Sequence, residues 1–282
     1  MASRGEGEHH RRPDAPGGAR PPRGTATERT VEYFDSIASG YASLYDEPTV
    51  AGYAFTVRRE RVLELFDRPG GQVLDVGCGP GVLVGPLVAL GCEFMGVDPS
   101  PTMIEEARQR WTGTPGVRFE TGLAEDLDVP DASFDAVVCT GVIERVADDG
   151  RALAEMARVL RPGGSLLLSA PHRWSPNLQW RDRVFYPAVD ALRPVARRLR
   201  VQVRPVVRGH RLYTRRSLAA LLDSVGCRDL EARYCSYNPL PQPLDGLFPR
   251  AAAGLMRRAE VLHRSPLRAL GAMVVVRAHK LP

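Results

Sequence analysis

Lysine is almost missing from this chain: of 38 basic residues, Lys280 alone is not arginine. The formal charge of +5 therefore carries little information about a partner. Arginine in place of lysine, together with abundant Ala, Gly and Pro, is what GC-rich coding produces, so no nucleic-acid partner is inferred from charge. Cysteine is equally sparse. Cys78, Cys92, Cys139, Cys227 and Cys235 are scattered, with no C-x-x-C pair. That spacing excludes a zinc ribbon or a disulfide scaffold and predicts buried free thiols, no metal centre and a reducing, cytoplasmic setting. The chain also lacks an apolar run of bilayer length and an N-terminal signal-like core. No Ser-His-Asp order and no glycosidase carboxylate pair is present.

What remains is an ordinary globular composition, 44% hydrophobic and 25% charged over 282 residues. Residues 1–27 are rich in Gly, Pro and Arg and predict a disordered tail in which His9 and His10 hold no metal. A helical, aromatic segment follows from Thr30, and "FTVRRERVLELFD" predicts a helix ended by Pro69-Gly70-Gly71. From there apolar runs of strand length alternate with helices. "QVLDVG", "EFMGVD", "VRFETG", "FDAVVCTG" and "SLLLSAP" read as strands, and "DDGRALAEMARVLRPGG" as an amphipathic helix stopped at Pro162-Gly163-Gly164. "CRDLEARYCSY" and "AMVVVRAHK" complete the strand set. Continuous apolar strands between helices predict an α/β, doubly wound, Rossmann-like seven-stranded and mostly parallel sheet. Helical cap insertions are expected at about 172–209 and 238–268, so that 28–282 forms the main domain.

The stretch "LDVGCGPG", residues 74–81, is the first strand-to-helix turn. In an open parallel sheet that turn lies where ligands bind, and glycines there let a ligand approach the backbone. Asp98 ends the second strand, where an acid can accept from both hydroxyls of a ribose. Ser100 supplies the next helix cap, so Asp98 is not needed for it. The spacing is G-x-G-x-G rather than G-x-G-x-x-G, and Asp75 adjoins the loop, where it would repel a pyrophosphate. A cationic, phosphate-free nucleoside such as S-adenosylmethionine fits this charge better than NAD. An NAD-linked oxidoreductase is the weaker alternative, and a non-enzymatic module that binds the same ligand as a regulator or scaffold is another.

"VLDVGCGPG", "GVDPSPTMIEEAR", "GLAEDLDVPDASFDAVVCTGVIERV" and "VLRPGGSLLLSAP" together resemble the successive motifs of class I S-adenosylmethionine-dependent methyltransferases. The likeness is greatest to the branch that holds the ubiquinone and menaquinone methyltransferases. It runs from about Tyr33 to Ala170 and resumes at "GHRLYTRRSLAALLDSVGC". The resemblance implies that Gly77, Gly79 and Gly81 line the methionine end and that Asp75 supports its amine. It implies Asp98 at the ribose, Met103 on the adenine and Ala124 and Glu125 at the adenine edge. Thr140 and Gly141 would face the methionine portion, and Tyr41 would close over the cofactor. Two departures stand out: Leu123 replaces an acid frequent in relatives, and Arg145 replaces a histidine.

Methyl transfer is an in-line displacement in which alignment can supply much of the rate. A base is needed only where the nucleophile keeps its proton at neutral pH. His172, just past the fifth strand, and His210, before "RLYT", are the candidates, with Tyr213 behind them. In "RDRVFYPAVDALRPVARRLR" the apolar residues fall at helical spacing, but Pro187 and Pro194 predict a broken or kinked pair of helices. That stretch suggests an amphipathic cap, a lid for an apolar acceptor, or a peripheral membrane contact through 177–200. Leu247, Ala251, Leu255, Ala259 and Leu262 would form a second apolar wall. The acceptor expected is a hydrophobic or amphiphilic small molecule, such as a quinone, polyketide or lipid-like metabolite, with O-methylation favoured.

Overall fold

The computed structural model describes residues 26–198 and 211–282. Most of the expected tail, with His9 and His10, and the candidate His210 lie outside the described residues. The chain enters through α1 (Ala26–Tyr41), a short 3-10 turn and α2 (Val50–Leu65), so helix begins at the last residues assigned above to the tail. The alternating core then runs β1 (Gln72–Val76), α3 (Val84–Ala89), β2 (Glu93–Asp98), α4 (Pro101–Arg110), β3 (Val117–Thr121), β4 (Phe134–Thr140), α5 (Asp149–Val159) and β5 (Leu160–Pro171). Beyond it come α6 (Pro176–Trp180), α7 (Tyr186–Arg198), α8 (Arg215–Ser224) and β6 (Cys227–Cys235). Last are α9 (Leu244–Leu247), α10 (Pro249–Ala259) and β7 (Met273–Lys280).

The seven strands lie in the order β3-β2-β1-β4-β5-β7-β6. β1 to β5 pair in parallel, and β7 runs antiparallel between β5 and β6. This is the mostly parallel, doubly wound α/β sheet that the sequence predicts. Because successive strand residues point to opposite faces, each apolar strand feeds two cores. Leu74, Val76, Val137, Cys139, Leu166 and Leu168 pack with Leu153, Met156, Leu218 and Leu222 of α5 and α8. Val73, Ala136, Val138, Leu167 and Val275 pack on the other face with Val57, Val62, Leu65, Leu87 and Ile104 of α2, α3 and α4. All five cysteines are buried and free.

Three local expectations need correction. Pro162-Gly163-Gly164 does not separate helix from strand; Leu160 already pairs with Phe134, and the register then shifts to Ser165 opposite Ala136. The Pro-Gly-Gly therefore forms the extra residues of a bulge inside a longer strand. Helix between 176 and 198 is not broken at its prolines. A wide turn of π type at residues 181–185 joins α6 to α7, and α7 runs through Pro194. The irregularity falls just before Pro187, where the hydrogen-bond ladder is already displaced. Finally, α10 buries Ala252, Ala253 and Met256, while Leu247, Ala251 and Leu255 are exposed. The apolar stripe of that segment thus points outward except at Ala259 and Leu262.

Candidate functional site

Strand order reverses between β2-β1 and β4-β5, so the carboxyl ends of β1 and β4 border the crevice where a ligand meets this kind of sheet. The glycine turn is fixed there by its neighbour β2. The Gly77 and Cys78 N–H groups both donate to the Val97 carbonyl, at 2.7 and 3.1 Å. Asp98 then clamps the turn from the strand end. Its Oδ2 accepts from the Gly79 N–H and its Oδ1 from the Ser100 N–H, each at 2.9 Å. Ser100 caps α4 by accepting from the Met103 N–H at 3.0 Å. Ser100 supplies the helix cap, as the sequence predicts, and Asp98 organises the glycine loop. Each carboxylate oxygen retains acceptor capacity for a ligand hydroxyl.

Around this turn opens a cleft of about 930 Å³. Its lining includes Tyr41, Asp75, Gly77, Gly79, Asp98, Met103, Ala124, Glu125, Thr140 and Gly141, ten of the eleven residues expected at the cofactor. The eleventh, Gly81, is not in the lining. A side chain there would lie 2.9 Å from Trp111 Nε1 and 3.0 Å from Phe119 Cζ, so Gly81 makes room for the packing beneath the loop. Gly77 has φ of +75°, and a Cβ on it would fall 2.1 Å from the Val142 side chain; only glycine fits. Glu125 Oε1 accepts from the Ala147 N–H at 2.9 Å, leaving its second oxygen for the cleft.

An aromatic layer from α1, the 3-10 turn and α2 covers the opening. Tyr41 lies edge-on to Phe34 and Tyr45, with ring centroids 6.0 and 6.4 Å away, and Tyr45 stacks on Phe55 at 5.1 Å. Burial, chiefly, holds the Tyr41 hydroxyl up at about 12, so it stays protonated and can donate. Arg145 lies over Phe34 at 5.4 Å and acts as a fastener for this layer. Asp35 reaches the Ser100 hydroxyl and ties α1 to the head of α4.

Arg58 was not singled out by sequence reasoning. It lines the cleft, lies over Phe55 at 5.1 Å and passes so near Gly141 that a Cβ there would come within 2.6 Å of its Nη1. The available signal was a basic pair, Arg58 and Arg61, on a helix whose neighbours Val57, Val62 and Leu65 are core residues. Asp75 faces it across the site. Its Oδ1 is buried and has no partner. Burial, and secondarily Asp98, raises its carboxyl to about 8, while Arg58 pulls it back down. A buried, unpartnered acceptor of this kind is costly unless a donor or cation completes it.

The histidines stand elsewhere. His172 is 2% exposed, does not line the cleft, and meets Tyr234 edge-on at 5.0 Å. Burial pushes its imidazole below its usual value, so it stays neutral at pH 7. Tyr213 is tied down as well, its hydroxyl donating to Asp149 Oδ2 at 2.8 Å. Among the described residues, no histidine lines the cleft.

These features fit S-adenosylmethionine. A cationic amine would complete Asp75, a ribose would find Asp98, and Met103 with Leu123 offers an apolar surface to an adenine. Among the described residues lining the cleft, three carboxyl groups, Asp75, Asp98 and Glu125, stand against two arginines, Arg58 and Arg145, a balance that disfavours a pyrophosphate beside the glycine turn.

Comparison with known proteins agrees. Residues 74–168 match the family described as "methyltransferase domain". The chain is 34% identical over 185 residues to the demethylmenaquinone methyltransferase of Symbiobacterium thermophilum, covering 61% of this chain and 73% of that protein. It is 36% identical over 152 residues to a 37.1 kDa transposon protein of Streptomyces fradiae; that match covers 53% of this chain and 44% of the relative's length. A solved structure from Thermotoga maritima, titled a SAM-dependent methyltransferase and possible histamine N-methyltransferase, superposes with a TM-score of 0.59. It is 24% identical and covers 88% of this chain and 98% of its own, which shows the shared fold. The glycine turn, the acid at the end of β2 and the sheet order thus converge with the family match: the chain belongs to the class I S-adenosylmethionine-dependent methyltransferases.

Proposed function

We propose that the protein moves a methyl group from S-adenosylmethionine to a hydrophobic or amphiphilic small molecule, a quinone, polyketide or lipid-like metabolite, at oxygen in preference to carbon or nitrogen. The observation that carries this reading is the buried Asp75 carboxylate, without a partner on Oδ1, beneath an aromatic-lined cleft at the carboxyl edge of β1 and β4. When bound, the cofactor supplies an electrophilic methyl on a sulfonium whose departure needs no acid. The chain's part is to orient and to exclude water. Asp75 would hold the amine, Asp98 the ribose, and Met103, Ala124 and Glu125 the adenine. Thr140 and Gly141 would border the methionine portion, and the Tyr41 layer would close the site.

Arg58, beside Thr140 and Gly141, would take the methionine carboxylate, and it keeps Asp75 within reach of ionisation. His172 lies outside the lining, so alignment rather than a histidine base is assigned the main role; His210 keeps only its sequence-based candidacy. Relatives named demethylmenaquinone methyltransferase and ubiquinone biosynthesis O-methyltransferase support a quinone-like acceptor. An apolar acceptor also gives sense to a peripheral membrane contact through residues 177–200. The test is mass spectrometry of organic extracts from producing cells with and without the gene. A compound present only with the gene, with its counterpart one methylene lighter accumulating in the deletion, is expected. Identical extracts would reject the reading.

A further inference from the structure

We propose that Arg145 pairs with a carboxylate on the acceptor, so that the substrate is an amphiphilic acid rather than a neutral molecule. This rests on the methyl-transfer reading and narrows its acceptor class. The first support is the charge left over in the cleft. Among the described residues, the charged side chains of the lining are Arg58, Arg145, Asp75, Asp98 and Glu125. Asp75 and Asp98 are assigned to the amine and the ribose, and Arg58 to the methionine carboxylate. Glu125 accepts from the Ala147 N–H and borders the adenine. Arg145 alone has no assigned counter-charge.

The second support is that the protein does not satisfy this guanidinium itself. Arg145 is half-buried, its Nε is buried without a hydrogen-bond partner, and its side chain joins no ion pair or hydrogen bond among the described residues. Its one close partner is the Phe34 ring at 5.4 Å. A guanidinium stacked on a ring keeps its N–H donors in its own plane, free for an acceptor. The neighbouring Glu144 does not take them. It is buried outside the lining, no ion pair joins the two, and burial raises its carboxyl even though Arg145 pulls it back down. Donors left unmade in this way are costly until an anion arrives.

The third support is position. Arg145 lies on the turn that leaves β4, where its N–H donates to the Val142 carbonyl at 2.7 Å. That turn begins at Thr140 and Gly141, which border the methionine portion, while Phe34 belongs to α1, which covers the opening. The guanidinium thus links the reacting end of the site to its cover. Around it Val31, Val142 and Val146 are apolar lining residues that no part of the cofactor is assigned to. The chemistry then selects the anion. A phosphate monoester would bring nearly two negative charges to a cleft with three carboxyl groups. A phenol would arrive neutral, as the Tyr41 hydroxyl does at about 12, where burial chiefly holds it. A carboxylic acid, with an ordinary pKa of about 4, is ionised at pH 7, and its two oxygens match the guanidinium fork.

The experiment is calorimetry at pH 7 on the full chain saturated with S-adenosylhomocysteine. It uses two matched pairs of probes, 4-hydroxycinnamate with 4-hydroxycinnamamide and 6-hydroxy-2-naphthoate with 6-hydroxy-2-naphthamide. In at least one pair the acid should bind about tenfold more tightly than its amide, the scale of a charge-assisted hydrogen bond. Arg145→Gln should abolish that preference, and Arg145→Lys should keep part of it. Loosening of the aromatic layer in either variant weakens acid and amide alike, so the ratio isolates the charge. Affinity for S-adenosylhomocysteine alone should fall less in Arg145→Gln than the ratio does. Acids that bind no better than their amides in both pairs, undetectable binding included, would overturn the proposal, as would a preference that survives Arg145→Gln. A fall in S-adenosylhomocysteine affinity larger than the fall in the ratio would give Arg145 to the methionine carboxylate and overturn it too. Failure of the unaltered chain to bind S-adenosylhomocysteine would instead remove the methyl-transfer reading, whereas binding without an acid preference removes this proposal alone.

Discussion

Asp75 should make cofactor affinity depend on pH in a direction opposite to a simple surface pair. Its carboxyl titrates near 8, raised by burial first and by Asp98 second. At pH 6 about one molecule in a hundred then carries the ionised form, and at pH 7 about one in ten. One pKa unit corresponds to about 1.4 kcal/mol. An α-ammonium keeps its charge below its own pKa of about 7.7–8.0, so over pH 6 to 7 only Asp75 limits the pairing. Binding of S-adenosylhomocysteine, which carries the same amine, should tighten about tenfold across that unit and release a proton.

Calorimetry in two buffers of different protonation enthalpy reads both effects. Asp75→Asn should bind more weakly and lose the slope and the proton release together. Affinity that stays level from pH 6 to 7, with no proton released, would refute Asp75 as the partner of the amine. The same shift affects the empty protein. Its folded pKa lies above the ordinary 3.8, so between about pH 4 and 8 the native state holds a proton that the unfolded chain has lost. Its contribution is fully present at the acid end and falls as pH rises through 8, by at most about 1.4 kcal/mol per unit. Asp75→Asn should flatten that decline in urea titrations.

Asp98→Ala removes the clamp on Gly79 and the two oxygens proposed to accept from the ribose, and should weaken S-adenosylhomocysteine binding by roughly 2–4 kcal/mol in calorimetry. Gly141→Ala puts a Cβ into the Arg58 guanidinium at a φ of +72°; a urea titration should show a loss of more than about 1 kcal/mol, and cofactor affinity should fall with it. His172→Ala should lower thermal stability by opening a cavity beside Tyr234, yet leave the methylated product in cell extracts.

The strands were legible because each apolar run serves two buried faces, a pattern that survives in one dimension. Asp98 was legible for a related reason: it ends a strand at a fixed offset from the glycine turn. Arg58 was not. It comes from a helix upstream of the first strand and reaches Gly141 through a contact that the sequence does not display. Gly81 shares the spacing of its neighbours but serves Trp111 and Phe119 beneath the loop, a distinction only packing reveals. The outward stripe of α10 misled for a similar reason. Periodicity identifies a face but does not say which side meets the core, and small residues such as Ala252 and Ala253 took the buried side.

The central claim is that the turn after β1 receives a positively charged, phosphate-free nucleoside. Parallel calorimetric titrations of the purified protein with S-adenosylmethionine and with NADH test it most directly. Saturable binding of S-adenosylmethionine and none of NADH is the predicted result; NADH binding without S-adenosylmethionine binding would contradict it.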